Sequence, residues 1–384
     1  MIRRRSGWLG CGSMLLVLAG CGPVEEQRDG ALADRAAMPD APAVETGGDR
    51  DAEVPFDGTV IASDSSTPPE DAAISPMDVI AQDRVVPPRD ATAEAGAVDA
   101  GPAGRIPTTT PPPGIPAMRT QAEVCGVWNT SYNAARMAGT FTAGSPACAP
   151  GRLPQNAVDA AVLMSNVHRW LAGLTNVSEN PEFSRSAQAC AELQEANNML
   201  SHTPPMSWTC YTALGAQGAG RSNITSGGST PIAAIAGWID DTRDISMTLG
   251  HRRWILFPPL GPIGYGQARR YACQYVLGPR ATGSKTFVAW PNEGFTPTES
   301  MTPLWSFSSS TLGLTASTRV TVTRNGMPVA ATAQLRAAGY GEPTISWNMP
   351  ATAITAGSVI SVTVTGLAGG MSTTYEVRPV RCGG

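Results

Sequence analysis

The apolar residues of this chain change their period. Between residues 157 and 240 they recur at helical spacing, and from about residue 300 they alternate strictly with polar ones. A run of period 3.6 buries one helix face, and a run of period 2 buries one sheet face. Leu163, Val167, Trp170, Leu171 and Leu174 mark the first helix, with an apolar stripe facing a core. Asn180-Pro181 and Thr230-Pro231 each offer a capping side chain and a proline at the first helical position, so two more helices begin there. Ala189, Leu193, Ala196 and Leu200 form the stripe of one. Ile232, Ile235, Ala236 and Ile239 form that of the other, and at 100° per residue Asp241 then points away from the stripe. The segments "PIGYGQ", "RRYACQYVLG" and "KTFVAWP" read as strands. Farther on, "SVISVTVTG" and "YEVRPV" alternate, and Asn325-Gly326 predicts a type I′ hairpin. The expected class is α+β, with a small β-sandwich over residues 299–384.

The N-terminal part has a different character. Arg3, Arg4 and Arg5 precede a short apolar run that ends in Leu18-Ala19-Gly20-Cys21. This is the layout of a lipoprotein signal over residues 1–20, too short for a spanning helix, with Cys21 as lipid acceptor. Glycine follows Cys21, which in a cell with two membranes favours the outer one. Residues 22–117 hold 18 acidic residues against 6 arginines and a single phenylalanine, Phe56. Such a stretch cannot bury enough apolar surface to offset its ordering entropy. Residues 21–117 are therefore expected to be a disordered tether, ending in the polyproline-like "IPTTTPPPGIP". Beyond it the charge is only mildly positive, which argues against nucleic acid as a partner. A lipid-anchored, exported monomer with an unknown extracellular ligand is the expectation. That ligand is a glycan, a lipid or a protein.

Six cysteines remain after Cys11 and Cys21. Three disulfides are expected in an exported chain, and 15 pairings are possible. Proximity along the chain favours Cys125–Cys148, Cys190–Cys210 and Cys273–Cys382.

Chemistry is scarce. There are three histidines, His168, His202 and His251. His202 follows the second helix in "LSHTPP", and His251 lies in "LGHRRWIL". Ser222 and Asp241 fall between them. With "NVHRWLAGL", "NPEFSRSAQACAELQEANNMLSH" and "AIAGWIDD", this order resembles the CAP superfamily of cysteine-rich secretory, antigen 5 and pathogenesis-related proteins, over residues 157–278. The resemblance implies a three-layer α-β-α sandwich within residues 118–298 and a cleft with two histidines and two acids. It makes His202 and His251 the histidines and Asp241 one acid. Ser222 stands where the family has a glutamate, so the site is incomplete.

Two imidazoles and a carboxylate are ligand types that zinc accepts, at about 2.0–2.1 Å for each nitrogen. His202, His251 and Asp241 are the candidate set. Hydrogen bonding of the two histidines across the cleft is the favoured alternative. A Ser222–histidine–Asp241 hydrolase needs a base within reach and an oxyanion hole, and "GRSNI" is no nucleophile elbow. Sterol or lipid binding is a third possibility. His168 reads as a helix-face residue. Arg252 and Arg253 read as solvated or paired with Asp240 and Asp244, against recognition of anionic glycans or headgroups. The leading expectation is a non-catalytic ligand-binding protein.

Overall fold

A computed structural model describes residues 104–242 and 247–383. The signal segment, Cys21, most of the tether and Asp244 lie outside the described residues. Among those described, no helix is long and apolar enough to cross a membrane.

The helical half contains α1 (Gln121–Ala135), α2 (Gln155–Leu171), α3 (Pro181–Asn197), α4 (Ala213–Arg221), α5 (Pro231–Asp240) and α6 (Gly250–Ile255). Its sheet is small. β1 (Ser222–Thr225), β2 (Gly264–Ala268) and β3 (Tyr271–Tyr275) run antiparallel in the order β1-β3-β2. Ala268, Cys273 and Tyr275 pack against Ala187, Cys190 and Ala191 of α3 on one face. Tyr265 and Ala272 join the core of α1, α2 and α5 on the other. Three layers, α-β-α, follow from this division, as the family resemblance implies.

Caps explain where the helices begin. The Asn180 side chain accepts from the backbone of Glu182 and Phe183, and Thr230 accepts from Ala233. Each such cap stabilises by about 1 kcal/mol. A capping box on Thr120 and Glu123 starts α1. The buried stripes are displaced from their sequence positions. In α3 they run through Ala187, Cys190, Ala191 and Leu193, and Ala196 and Leu200 are exposed. α2 has no exposed stripe at all, because all but its first residue are buried.

The segment before α1 explains that burial. The sequence runs the tether to residue 117, but the structure puts residues 105–110 against α2. Arg105 and the backbone N–H of Ile106 both donate to Asp159, and Ile106 is buried. The Asn166 amide donates to the carbonyls of Thr108 and Val177. Pro116 is buried in a short 3-10 turn. A composition argument misses this strap because it is held by one arginine–carboxylate pair, backbone hydrogen bonds and a single isoleucine rather than by an apolar run.

The second half is two sheets. One has the order β4-β6-β10-β9, from β4 (Val288–Trp290), β6 (Leu304–Ser308), β9 (Gln334–Leu335) and β10 (Thr344–Asn348). The other has the order β5-β12-β11-β7-β8, from β5 (Gly294–Pro297), β7 (Arg319–Arg324), β8 (Met327–Val329), β11 (Ile360–Thr365) and β12 (Thr373–Val380). Asn325 and Gly326 have φ of 49° and 81° between β7 and β8, as a type I′ turn requires. β11 buries every second residue. β4 and β5 pair within these sheets, although they precede residue 299, where the sequence reading starts the β-sandwich. Three-residue strands carry too little period to reveal their partners.

The three disulfides pair differently from the expectation by proximity. They are Cys125–Cys382, Cys148–Cys210 and Cys190–Cys273. Layering is the reason. α3 lies across β3, so Cys190 meets Cys273 and not its neighbour Cys210. α1 lies beside the end of the chain, where Asn129 also donates to the Cys382 carbonyl.

Candidate functional site

Asp241 and His251 form the centre of the site. α5 ends at Asp240, and Asp241 takes the left-handed conformation, φ 51°. That turn cancels the helical direction, so Asp241 points inward and is 3% exposed, against the outward position that helical spacing predicts. Its Oδ1 accepts from Nδ1 of His251 at 2.7 Å. Its Oδ2 accepts from the backbone N–H of Arg252 at 3.2 Å. The carboxylate thus does two jobs: it fixes the imidazole and it caps α6, whose own preceding residue Leu249 offers no side-chain cap. Because Nδ1 carries the hydrogen, the neutral ring presents Nε2 as an acceptor. Asn223 holds the same turn from the sheet, donating to the His251 carbonyl at 3.2 Å.

The backbone here is held under tension. Asp241, Met247 and Leu249 all have positive φ. Such residues cost of order 1–3 kcal/mol each and persist only where their surroundings over-determine them. Gly250 is needed for closeness rather than for φ. A Cβ there would lie 2.7 Å from the Tyr340 ring of the β-sandwich half.

The two arginines after His251 are buried, and among the described residues their bonds go to carbonyls and a hydroxyl rather than to carboxylates. Arg252 donates to the carbonyls of Ile239 and Asp240 and to the Ser306 hydroxyl of β6. Arg253 donates to the carbonyls of Thr248, Ala337 and Glu342. Burial lowers both guanidinium pKa values to about 10, which leaves them charged at neutral pH. α6 therefore offers His251 to the cleft and pins the two halves together with Arg252 and Arg253. This arrangement replaces both the solvated reading and the anion-binding reading of the pair.

His251 and Asp241 line a cleft of about 990 Å³. α1 contributes Trp128 and Tyr132 to its wall, α5 contributes Ile232 and Ala236, and Glu299 lies on its sandwich side. The Trp128 and Tyr132 rings stack with centroids 6.1 Å apart.

The remaining sequence candidates fare differently. His202 is exposed and does not line the cleft. Its Nδ1 bonds the Ala219 carbonyl at 2.9 Å, which fastens the loop after α3 to the end of α4. Ser222 is buried on β1, one residue from Asn223. Alternation along the strand puts Asn223 toward His251 and Ser222 on the opposite face, opposite Tyr275 and with α3. The Ser222 hydroxyl has no hydrogen-bond partner among the described residues, so the hydrolase grouping is not assembled. His202, His251 and Asp241 do not form a metal-ligand group either, since no three His, Cys, Asp or Glu residues among those described are placed to hold an ion. The donor set does not fit zinc.

One residue was missed. His168 lines the cleft from α2 and is 2% exposed. Its Nδ1 donates to the Met164 carbonyl at 2.8 Å. Burial lowers its pKa to about 4, so it is neutral at physiological pH. The signal for it was present in "NAVDAAVLM", which has no polar face wide enough for solvent.

Residues 163–288 match the family model of the Cysteine-rich secretory protein family, CAP. The match runs from within α2 to the first residue of β4 and includes His168, Asp241 and His251, whereas Trp128, Tyr132 and Glu299 of the cleft lie outside it. This part of the chain is a CAP domain. Comparison with curated protein sequences gives no match.

Proposed function

We propose that this is an exported, lipid-tethered CAP-domain protein that binds an extracellular ligand in the cleft beside His251 without transforming it. The observation that carries the proposal is the make-up of the cleft. Aromatic and aliphatic side chains share its wall with converging polar groups, among them Asn133, Arg136, His168, Asp240 and Glu299, a mixture able to hold and orient a ligand. His251 is oriented by Asp241, and among the described residues no side-chain nucleophile is bonded to it. The tether and the lipid on Cys21 would keep the domain at the envelope while leaving the cleft accessible.

The test is a thermal-shift screen of the purified chain against carbohydrates, lipids and peptides. A hit should stabilise the protein, lose most of its effect in His251→Ala, and be recovered chemically unchanged by mass spectrometry. Recovery of a cleaved product would overturn the binding reading. Anchoring is tested separately, because Cys21→Ala should release the protein from membranes.

The His251–Asp241 hydrogen bond supports one rival. An imidazole held by a carboxylate through Nδ1 can take a proton from water at Nε2, the arrangement of a general base. On that reading, the chain cleaves an ester or amide by attack of water, and His251→Ala abolishes turnover. Labelling by a fluorophosphonate at Ser222 is not expected on either reading.

A further inference from the structure

Two stretches of the CAP half carry no charged side chain. Residues 137–151 number 15 and residues 196–220 number 25, and neither run contains Asp, Glu, Lys or Arg. Charged residues make up 15% of the chain, so gaps of this length are far from its average. The first run lies between α1 and α2, and the second takes in the loop from α3 to α4 and most of α4. They are joined to each other, because Cys148 of the first is bonded to Cys210 of the second. The Asn197 amide bonds both the N–H and the carbonyl of Thr209, which closes the longer run into a compact loop. Gly151 donates to the Glu192 side chain of α3 and holds the shorter run against the same helix.

The uncharged runs are also apolar on the outside. Met137, Met199, Leu200, Met206 and Leu214 are five of the twelve exposed large apolar side chains among the described residues, and Met206 is 83% exposed. Single exposed apolar residues are ordinary on a protein surface, but a concentration of them marks a contact surface. Trp208 and Tyr211, both half-buried, lie in the same loop. Tryptophan and tyrosine beside methionine and leucine, with no charge to desolvate, suit the boundary between lipid headgroups and acyl chains.

The chain itself indicates what covers this surface. Residues 22–103 are the link between the described part and the lipid acceptor Cys21. On the lipid-anchor reading, a bilayer is the surface that these loops meet at the highest local concentration, so even a weak contact is occupied. We propose that the joined loops 137–151 and 196–220 are a second membrane contact, with Met206, Trp208 and Leu214 entering the interface of a phospholipid bilayer. The proposal rests on the lipid-anchor reading above and adds an orientation to it. Leu200 also lines the cleft, so the contact turns that side of the cleft toward the membrane.

The experiment uses the full chain carrying its lipid, in phosphatidylcholine vesicles with brominated acyl chains. Bromine quenches only an indole that reaches it, and the difference between wild type and Trp208→Phe isolates Trp208. That signal should be quenched. Met206→Asp/Leu214→Asp should reduce the quenching about tenfold, since each aspartate opposes entry into the interface. Both side chains are exposed, so the fold should stand. Met327→Asp/Met371→Asp, at exposed positions of the sandwich half, should leave the quenching unchanged. A rise in salt from about 0.05 to 0.5 M should also leave it unchanged, because no fixed charge takes part. The proposal is overturned if Trp208 is unquenched, if Met206→Asp/Leu214→Asp is quenched like wild type, if the sandwich pair weakens quenching equally, or if salt abolishes it. Self-association that Met206→Asp/Leu214→Asp removes, with Trp208 unquenched, would overturn it in favour of a second copy of the chain. The anchor is judged separately by mass spectrometry, and a chain without lipid on Cys21 removes the tether reading alone. The contact is then decided by flotation of that chain with phosphatidylcholine vesicles. Flotation that Met206→Asp/Leu214→Asp loses supports it, and equal flotation or none overturns it.

Discussion

The two halves of this molecule are held together by different means. In the CAP half, buried guanidinium and amide groups span between backbone segments. Arg169 is fully buried and donates to the carbonyls of Thr175, Ile255 and Phe257, each at 2.8 Å. Asn166 and Asp159 tie the strap to α2. In the sandwich half, the core is alternating Ile360, Val362 and Val364 beneath Trp305, Phe307 and Trp347. Its indole N–H groups on Trp305 and Trp347 have no partner among the described residues. The contrast is one of geometry. Helices and loops around a three-stranded sheet leave many carbonyls outside any ladder, and long donors must reach them. Two paired sheets satisfy their own backbone and need only apolar filling.

Substitutions should separate these two modes. Arg169→Leu removes the side-chain donor from the buried carbonyls of Thr175 and Ile255 and one of two donors from that of Phe257, and should cost about 4 kcal/mol. Urea unfolding of the purified chain measures it, and a loss below about 1 kcal/mol would refute the bridging role. The next effect comes with acid. His168 titrates near pH 4 in the folded state and near 6.5 when unfolded. The unfolded chain therefore binds the proton first, and the neutral buried ring's contribution is intact above about pH 6.5. It is lost as pH falls toward 4, by about 1.4 kcal/mol per unit and about 3 kcal/mol in all. The difference in unfolding free energy between wild type and His168→Phe should follow this slope, and a flat difference would contradict it. In the sandwich half, Ile360→Ala should cost between about 2 and 3 kcal/mol at both pH values, as cavity formation does. A strong pH dependence there would erase the contrast between the halves. Smallest is Asp241→Asn, at about 1 kcal/mol, since the amide still accepts from the Arg252 backbone. Its sharper effect should be on the His251 tautomer equilibrium, visible by nitrogen NMR.

Arg252 lies where the two modes meet. One guanidinium bonds carbonyls of the CAP half and a hydroxyl of β6. The sequence carries no sign of this, because a buried arginine and a solvated one look alike without the surface that covers them.

Legibility followed the range of the interactions. The Asn325-Gly326 turn, the alternation of β11 and the two capped helix starts depend on neighbours a few residues away, and each was readable. The His251 and Asp241 pair was readable through the family resemblance, though the wheel argument alone sent Asp241 to the wrong side. Its left-handed φ comes from tertiary contacts that no period encodes. Ser222 failed for a similar reason: one step along a strand reverses the face. His168 was hidden by the strap, whose polar composition concealed that it covers α2. The disulfides followed the layers and not distance along the chain.

The bond between Cys125 and Cys382 joins α1 to the segment after β12, across 257 residues of sequence. Everything between them is a closed covalent loop, and Cys148–Cys210 and Cys190–Cys273 overlap inside it. A protease that cuts once anywhere in that loop opens a ring without producing two molecules. On a non-reducing gel the nicked protein would keep its mass, and the two pieces would separate only after reduction.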